Sequence, residues 1–195
     1  AELLCATGRK PNFEDALEGG VELDTERGRI VIDKKFETSL PGIYAIGDIV
    51  DGPQLAHKAT AEGINLANIF AGKEPCIDTK LVPSCIYTHP NIAVVGLSET
   101  QAKEQGVPVI VGKAVTGANA KSVVNQDPRG NVKLIAHAET RKILGAGMMC
   151  VNSTDMIGEI TTAIANELTI EDLVRGMRAH PTLNETVGKA ALEML

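Results

Sequence analysis

The sequence predicts an α+β fold, an antiparallel sheet with helices on one face. Three observations point to it. Strand-like runs follow one another between residues 84 and 150, and the main helical patterns come after them, as in segregated sheet and helix layers. Over residues 154–168, Met156, Ile157, Ile160, Ile164 and Leu168 recur on one side of a 3.6-residue helix. Residues 72–83 are polar and aperiodic and contain Pro75 and Pro83, which divides the chain into a domain over 1–75 and a second over 80–195.

Taken in order, residues 1–6 read as the end of a buried strand. Termini usually lie at the surface, and Ala1 is not an initiator Met, so this start predicts a piece of a longer product. Pro11 and Asn12 signal a loop, residues 28–33 a short strand after a turn, and residues 38–42 a second turn. Residues 43–46 form a compact apolar run expected to be a buried strand ending at Gly47-Asp48. Residues 54–70 carry apolar groups at helical spacing and stop at Gly72. Beyond the boundary, strands are expected at 84–87, 92–95, 107–115, 131–138 and 143–150, with Gly145 and Gly147 bending the last. Residues 98–105 form a helix between the N-cap Ser98 and the stop Gly106. Helices over 154–168, 170–175 and 183–195 close the chain, and the first of these reads as core or subunit interface.

Composition narrows the function. The net charge is −6 and aromatics are 3% of residues, so neither a basic face for phosphates nor a stacking surface for bases is present, which argues against a nucleic-acid partner. No apolar run reaches the roughly 20 residues that a membrane helix needs, so no membrane partner is expected. With no signal-peptide layout, the expected location is cytoplasmic. Cys5, Cys76, Cys85 and Cys150 form no close pair and read as free, mostly buried thiols, with no metal site among them.

Two constellations carry chemistry. In the first, an apolar strand ends at Gly47-Asp48; ligands of open α/β sheets sit at such carboxyl ends, and an Asp there accepts bonds from sugar hydroxyls. Asp after a strand is also an ordinary turn or cap residue, and His57 by itself is an ordinary helix-start or surface histidine. In the second, Pro181 biases His180 towards extended backbone outside any helix. An imidazole in a loop is free to exchange protons near neutrality, and Glu185 in the first turn of the final helix could orient it. Thr182-x-x-Glu185 is equally a capping box, with Glu185 returning to the backbone of Thr182.

Residues 38–48 (Thr-Ser-Leu-Pro-Gly-Ile-Tyr-Ala-Ile-Gly-Asp) resemble the second FAD fingerprint of the pyridine nucleotide–disulfide oxidoreductases, and Gln54-Leu55-Ala56-His57-Lys58-Ala59 matches the helix start that follows it. The resemblance implies that Asp48 binds the ribityl chain of FAD and that Gln54, Leu55, Ala56 and His57 line the flavin. Ala6-Thr7-Gly8-Arg9-Lys10-Pro11-Asn12 is similar to the exit from the family's NAD domain, which implies that Gly8 lies near the NAD nicotinamide. Arg178-Ala179-His180-Pro181-Thr182-Leu183-Asn184-Glu185 resembles the C-terminal signature of dihydrolipoamide dehydrogenases, with Asn184 where the family often has Ser and Met177-Arg178 also departing from it. There the His is the acid–base partner of a redox dithiol and the Glu holds it. His89-Pro90 opens the dimerisation domain by the same resemblance, and His89 reads as structural.

By this resemblance the first 75 residues are a remnant of the FAD/NAD-binding α/β domain and residues 80–195 the dimerisation domain. The family's activity requires an N-terminal G-x-G-x-x-G for FAD, another for NAD and a C-x4-C redox pair, none of which occurs in this sequence. The implied whole is a homodimer that oxidises dihydrolipoamide, carried on an acyltransferase complex, with NAD. This chain would supply the base, part of the FAD bed and the interface, and would turn nothing over alone. Alternatives are an inactive dimerisation module without cofactor, or a sibling such as a glutathione or mercuric reductase. Thr182-Leu183 argues against the glutathione reductase, and the lack of a C-terminal cysteine pair against the mercuric reductase.

Overall fold

Alternation along three strands builds the core that later positions the site. In the computed structural model, which describes residues 2–17 and 20–195, β3 (Ser84–Ile86), β4 (Ile92–Gly96), β5 (Val109–Val115), β6 (Asn131–His137) and β7 (Ile143–Met149) form one antiparallel sheet in the order β3-β4-β7-β6-β5. The register aligns Ala93, Met148, Val132 and Ala114 in one cross-strand row, and Val95, Ala146, Leu134 and Gly112 in the next. Because side chains alternate across a pleated sheet, these rows share one face, and Ala93, Val95, Val132, Leu134, Ala146 and Met148 are all buried.

That face is covered by α4 (Ser153–Ala165), which packs on β4 and β7, and α6 (Glu185–Leu192), which packs on β5 and β6. Ile157 and Ile160 of α4 and Val187, Ala190 and Ala191 of α6 complete the same cluster. Burying each large side chain contributes about 1.5–3 kcal/mol. Gly112 of β5 makes the closest approach possible: a Cβ there would stand 1.9 Å from the carbonyl oxygen of Ala190. The backbone of α6 therefore lies directly on the sheet. Between α4 and α6 runs α5 (Ile170–Arg175), started by a full capping box between Thr169 and Asp172.

The chain forms two compact units, Ala1–Lys80 and Leu81–Leu195. In the first, β1 (Thr25–Glu26) and β2 (Arg29–Ile30) form a hairpin whose turn residues Arg27 and Gly28 both have positive φ. Ile30, Ala45 and Val50 form its small apolar cluster. Its one long helix is α1 (Ala56–Phe70), whose buried Asn65 takes the backbone N–H groups of Cys76 and Ile77 at 3.0 Å each. In the second unit, α2 (Glu99–Glu104) begins at Ser98 with the capping box formed, and α3 (Ala120–Asn125) follows a 3-10 turn over Thr116–Ala118. Among the described residues no helix is long and apolar enough to cross a membrane.

Several local expectations are corrected. Residues 2–6 form no strand, and Leu3 and Leu4 are 97% and 90% exposed: an apolar run becomes a strand only with a partner to pair with, and none of the described residues pairs with it. Residue 1 lies outside the described residues. The run over 43–46 is not a regular strand either; Tyr44 makes a single antiparallel bridge to Glu37. At Gly145, beside a register shift between β6 and β7, close contact also requires glycine, because a Cβ would lie 2.1 Å from the carbonyl oxygen of Leu97. The thiols are not mostly buried: Cys5 and Cys76 are exposed, Cys85 is half-buried and only Cys150 is buried.

Candidate functional site

The segment from Gly176 to Asn184 connects α5 to α6 without regular structure. His180 sits in this loop, outside any helix, and the His180–Pro181 peptide is cis. Glu185 opens α6 and uses its two carboxylate oxygens differently. Oε1 lies 2.9 Å from Nδ1 of His180, and Oε2 accepts the backbone N–H of Thr182 at 2.9 Å. Orienting the ring and capping the helix are thus not alternatives, since each takes one oxygen. The box is only half closed, because the Thr182 hydroxyl donates to the carbonyl of Ala179 at 2.8 Å and does not cap α6.

The Glu185 carboxyl is held below its ordinary range, first by the Thr182 N–H and then by His180, with Lys189 adding a favourable charge and partial burial opposing. With Nδ1 facing the carboxylate, Nε2 is the ring nitrogen left to exchange a proton. The His180 side chain is 69% exposed, so a partner molecule can reach it, while that of Glu185 is 23% exposed. The pair has the base–orienter half of a nucleophile–base–orienter set.

Two residues distant in sequence support this loop. Asn119, fully buried, donates through Nδ2 to the carbonyl of Thr182 at 2.9 Å and to the Thr186 hydroxyl at 3.2 Å, while its Oδ1 accepts the N–H groups of Lys121 and Ser122. Glu159 of α4 binds Arg178 with Oε1 and accepts from Nδ2 of Asn184 with Oε2 at 2.6 Å. Arg178 also donates to the carbonyls of Leu173 and Gly176. Sequence reading missed Asn119 and Glu159. An N-cap Asn before a short helical run was a usable signal for Asn119; Glu159, 19 and 25 residues from its partners, had no local signal.

In the first unit, Gly47–Ile49 form a 3-10 turn with exposed Asp48 in it, and Gln54 Nε2 reaches the carbonyl of Asp48 at 3.4 Å. Gln54 and Leu55 lead into α1, whose first turn holds exposed Ala56 and His57. The turn is pinned to α1 from inside: Glu62, 4% exposed, accepts the Gly47 N–H at 2.8 Å and pairs with Lys58 Nζ at 2.6 Å. The helix starts at Leu55 with no side-chain cap, so the positive end of a 15-residue helix faces outward beside Asp48. A hydroxyl acceptor next to an uncapped helix N-terminus suits a polyol chain joined to an electron-poor ring, so these residues fit part of an FAD bed. Gly8, the residue expected near NAD, has φ +90 with nothing within 4 Å of a Cβ built there. The structure thus brings His180 to Glu185, groups Asp48 with the 54–57 segment, and leaves Gly8 on an exposed stretch.

Residues 82–191 match the family described as "Pyridine nucleotide-disulphide oxidoreductase, dimerisation domain", and residues 1–63 match "Pyridine nucleotide-disulphide oxidoreductase". The chain is similar to mitochondrial dihydrolipoyl dehydrogenases, 45% identical to that of Bos taurus and 44% to that of Homo sapiens, in both cases over 193 residues. Those matches cover 97% of this chain and 38% of the relatives' length. Among solved structures it resembles the HOCl-induced flavoprotein disulfide reductase RclA from Escherichia coli, with a TM-score of 0.86, 27% identity, and coverage of 96% of this chain and 44% of that one. LpdA from Mycobacterium tuberculosis, 24% identical at a TM-score of 0.84 over 90% of this chain and 39% of its own, shares the fold. The expectation of a cytoplasmic location is corrected: these relatives are named mitochondrial. Lack of an apolar span says nothing about which aqueous compartment a protein occupies.

Proposed function

This chain belongs to the pyridine nucleotide–disulphide oxidoreductases, and on that premise we propose that it is the C-terminal portion of a mitochondrial flavoenzyme that oxidises dihydrolipoamide-type dithiols with NAD. The observation that supports this most is the 2.9 Å contact between His180 Nδ1 and Glu185 Oε1 in an exposed loop. In this reading His180 takes the proton from an incoming thiol at Nε2, because the thiolate is the nucleophile in exchange with a disulfide. Glu185 keeps the ring turned and stabilises the imidazolium until the proton is returned. Neither redox-disulfide cysteines at C-x4-C spacing nor a G-x-G-x-x-G lies in this sequence, so the complete site requires residues outside it.

FAD, when bound, supplies the electron acceptor; Asp48 would hold its ribityl chain, and Gln54, Leu55, Ala56 and His57 would line the ring. Residues 82–191 carry the interface of a homodimer, and an acyltransferase-borne dihydrolipoamide is the proposed partner. The test is His180→Gln in a flavoprotein containing this chain, followed as dithiol reduction of the flavin. The expected loss is about 10²–10⁴-fold, the usual size of an acid–base contribution; an unchanged rate refutes the role.

One observation favours a second reading, an isolated dimerisation module without cofactor. The second unit contains the large apolar cluster, while the first buries only Ile30, Ala45 and Val50 in its own. A visible spectrum of the 195-residue chain after mixing with FAD and desalting separates the two. A retained flavin band supports the half-site reading, and a colourless protein the module.

A further inference from the structure

Glu159 lies on α4, yet it binds the residues that flank the His180 loop on both sides. Oε1 takes Arg178, two positions before His180, and Oε2 takes Asn184, one position before Glu185. The Arg178 side chain is only 11% exposed, and its guanidinium also ties down the carbonyls of Leu173 and Gly176 at 3.1 Å each. One carboxylate on a helix packed against β4 and β7 thereby fixes both ends of the loop to the sheet core. The other hydrogen bonds of Arg178, to Leu173 and Gly176, lie outside α4.

We propose that Glu159 is a positioning residue that sets the separation of His180 from Glu185. It touches neither ring nor thiol and acts through Arg178 and Asn184. Its consequence for turnover rests on the proposed function, but its effect on geometry does not. The geometry has two local reporters. The Thr182 N–H is protected by Glu185 Oε2 only while the loop keeps its register. The Glu185 carboxyl is held low by Thr182 and His180, with Lys189 as the further charge acting on it.

The experiment uses the 195-residue chain and reads Thr182 amide exchange and the Glu185 carboxyl titration by NMR, with Glu185→Gln to assign the carboxyl signal. In Glu159→Ala and Glu159→Gln the Thr182 amide is expected to exchange at least about tenfold faster, as a locally opened segment does. The Glu185 titration moves up towards its ordinary range, and Glu159→Asp restores part of both effects. Amides of β6 stay protected. Thr182 exchange and the Glu185 titration unchanged in Glu159→Gln, even with a lowered melting temperature, overturn the proposal and leave Glu159 a stabilising residue only. If Glu159→Ala does not fold, Glu159→Gln, which keeps the volume, decides. None of these readouts depends on dithiol chemistry, so an idle His180 would refute the proposed function and leave this inference standing.

Discussion

The carbonyl oxygen of Ala190 sits where a side chain at Gly112 would have to go, 1.9 Å from a Cβ built on that glycine. Met194 closes the same space, with Cγ at 2.5 Å. Gly112→Ala must therefore push α6 off the sheet, because a helix backbone yields less readily than a flexible side chain. The expected cost is at least about 1–3 kcal/mol, the usual range for overpacking, measured by urea denaturation. Glu185 moves with the helix, so the His180 contact loosens too. A variant as stable as the parent would contradict this packing.

Glu185 gives the molecule an acid-side dependence. Its folded-state carboxyl is lowered, so the stability it contributes is fully present above the unfolded value and is lost as pH falls through the folded value. The stability difference between the parent and Glu185→Gln should shrink as pH falls below the ordinary 4.5. Denaturation curves at a series of pH values measure it. A difference that is the same at neutral pH and in strong acid excludes the predicted linkage.

The buried pair of Lys58 and Glu62 should respond asymmetrically. Glu62→Ala removes the carboxylate that now pairs with the ammonium of Lys58 and accepts the N–H of Gly47, and leaves both without it. Removing one partner of a buried pair typically costs about 3–5 kcal/mol. Lys58→Met with Glu62→Leu should cost clearly less, since apolar replacement of both charges is often near neutral, although Gly47 still loses its acceptor. Equal losses in the two variants, read by hydrogen exchange in α1, would show that the pair is not the issue.

Thiol reactivity should rank by burial. The Cys150 thiol is pushed up to about 11 by burial, with Asp127 adding to the shift. At pH 8 only about one Cys150 in a thousand is thiolate, the reactive form. Iodoacetamide at that pH should label exposed Cys5 and Cys76 first, Cys85 more slowly and Cys150 only on unfolding. Mass spectrometry of timed digests reads the order, and early labelling of Cys150 would contradict its burial.

Sequence by itself determined the sheet strands of the second unit and its helices α2, α4, α5 and α6, because residues such as Val132, Leu134, Ala93 and Val95 alternate, and Met156, Ile157 and Ile160 recur at helical spacing, whatever their neighbours. It also marked His180 and Glu185, since a proline fixes the backbone beside one and the other lies in its natural capping position five residues on. What it left open was whether Glu185 caps or orients, and tertiary structure decided this by giving each task its own oxygen. The short helix at Ala120–Asn125 escaped notice because six residues give periodicity too little length. Residues 2–6 and 43–46 form no regular strand despite their apolar content, because such content cannot supply a pairing strand. Glu159, the bonds from Asn119 to Thr182 and Thr186, and the contact of Gly112 with Ala190 were out of reach for one reason. Each depends on the packing of elements 19 to 78 residues apart, so folding alone brings the partners within bonding distance.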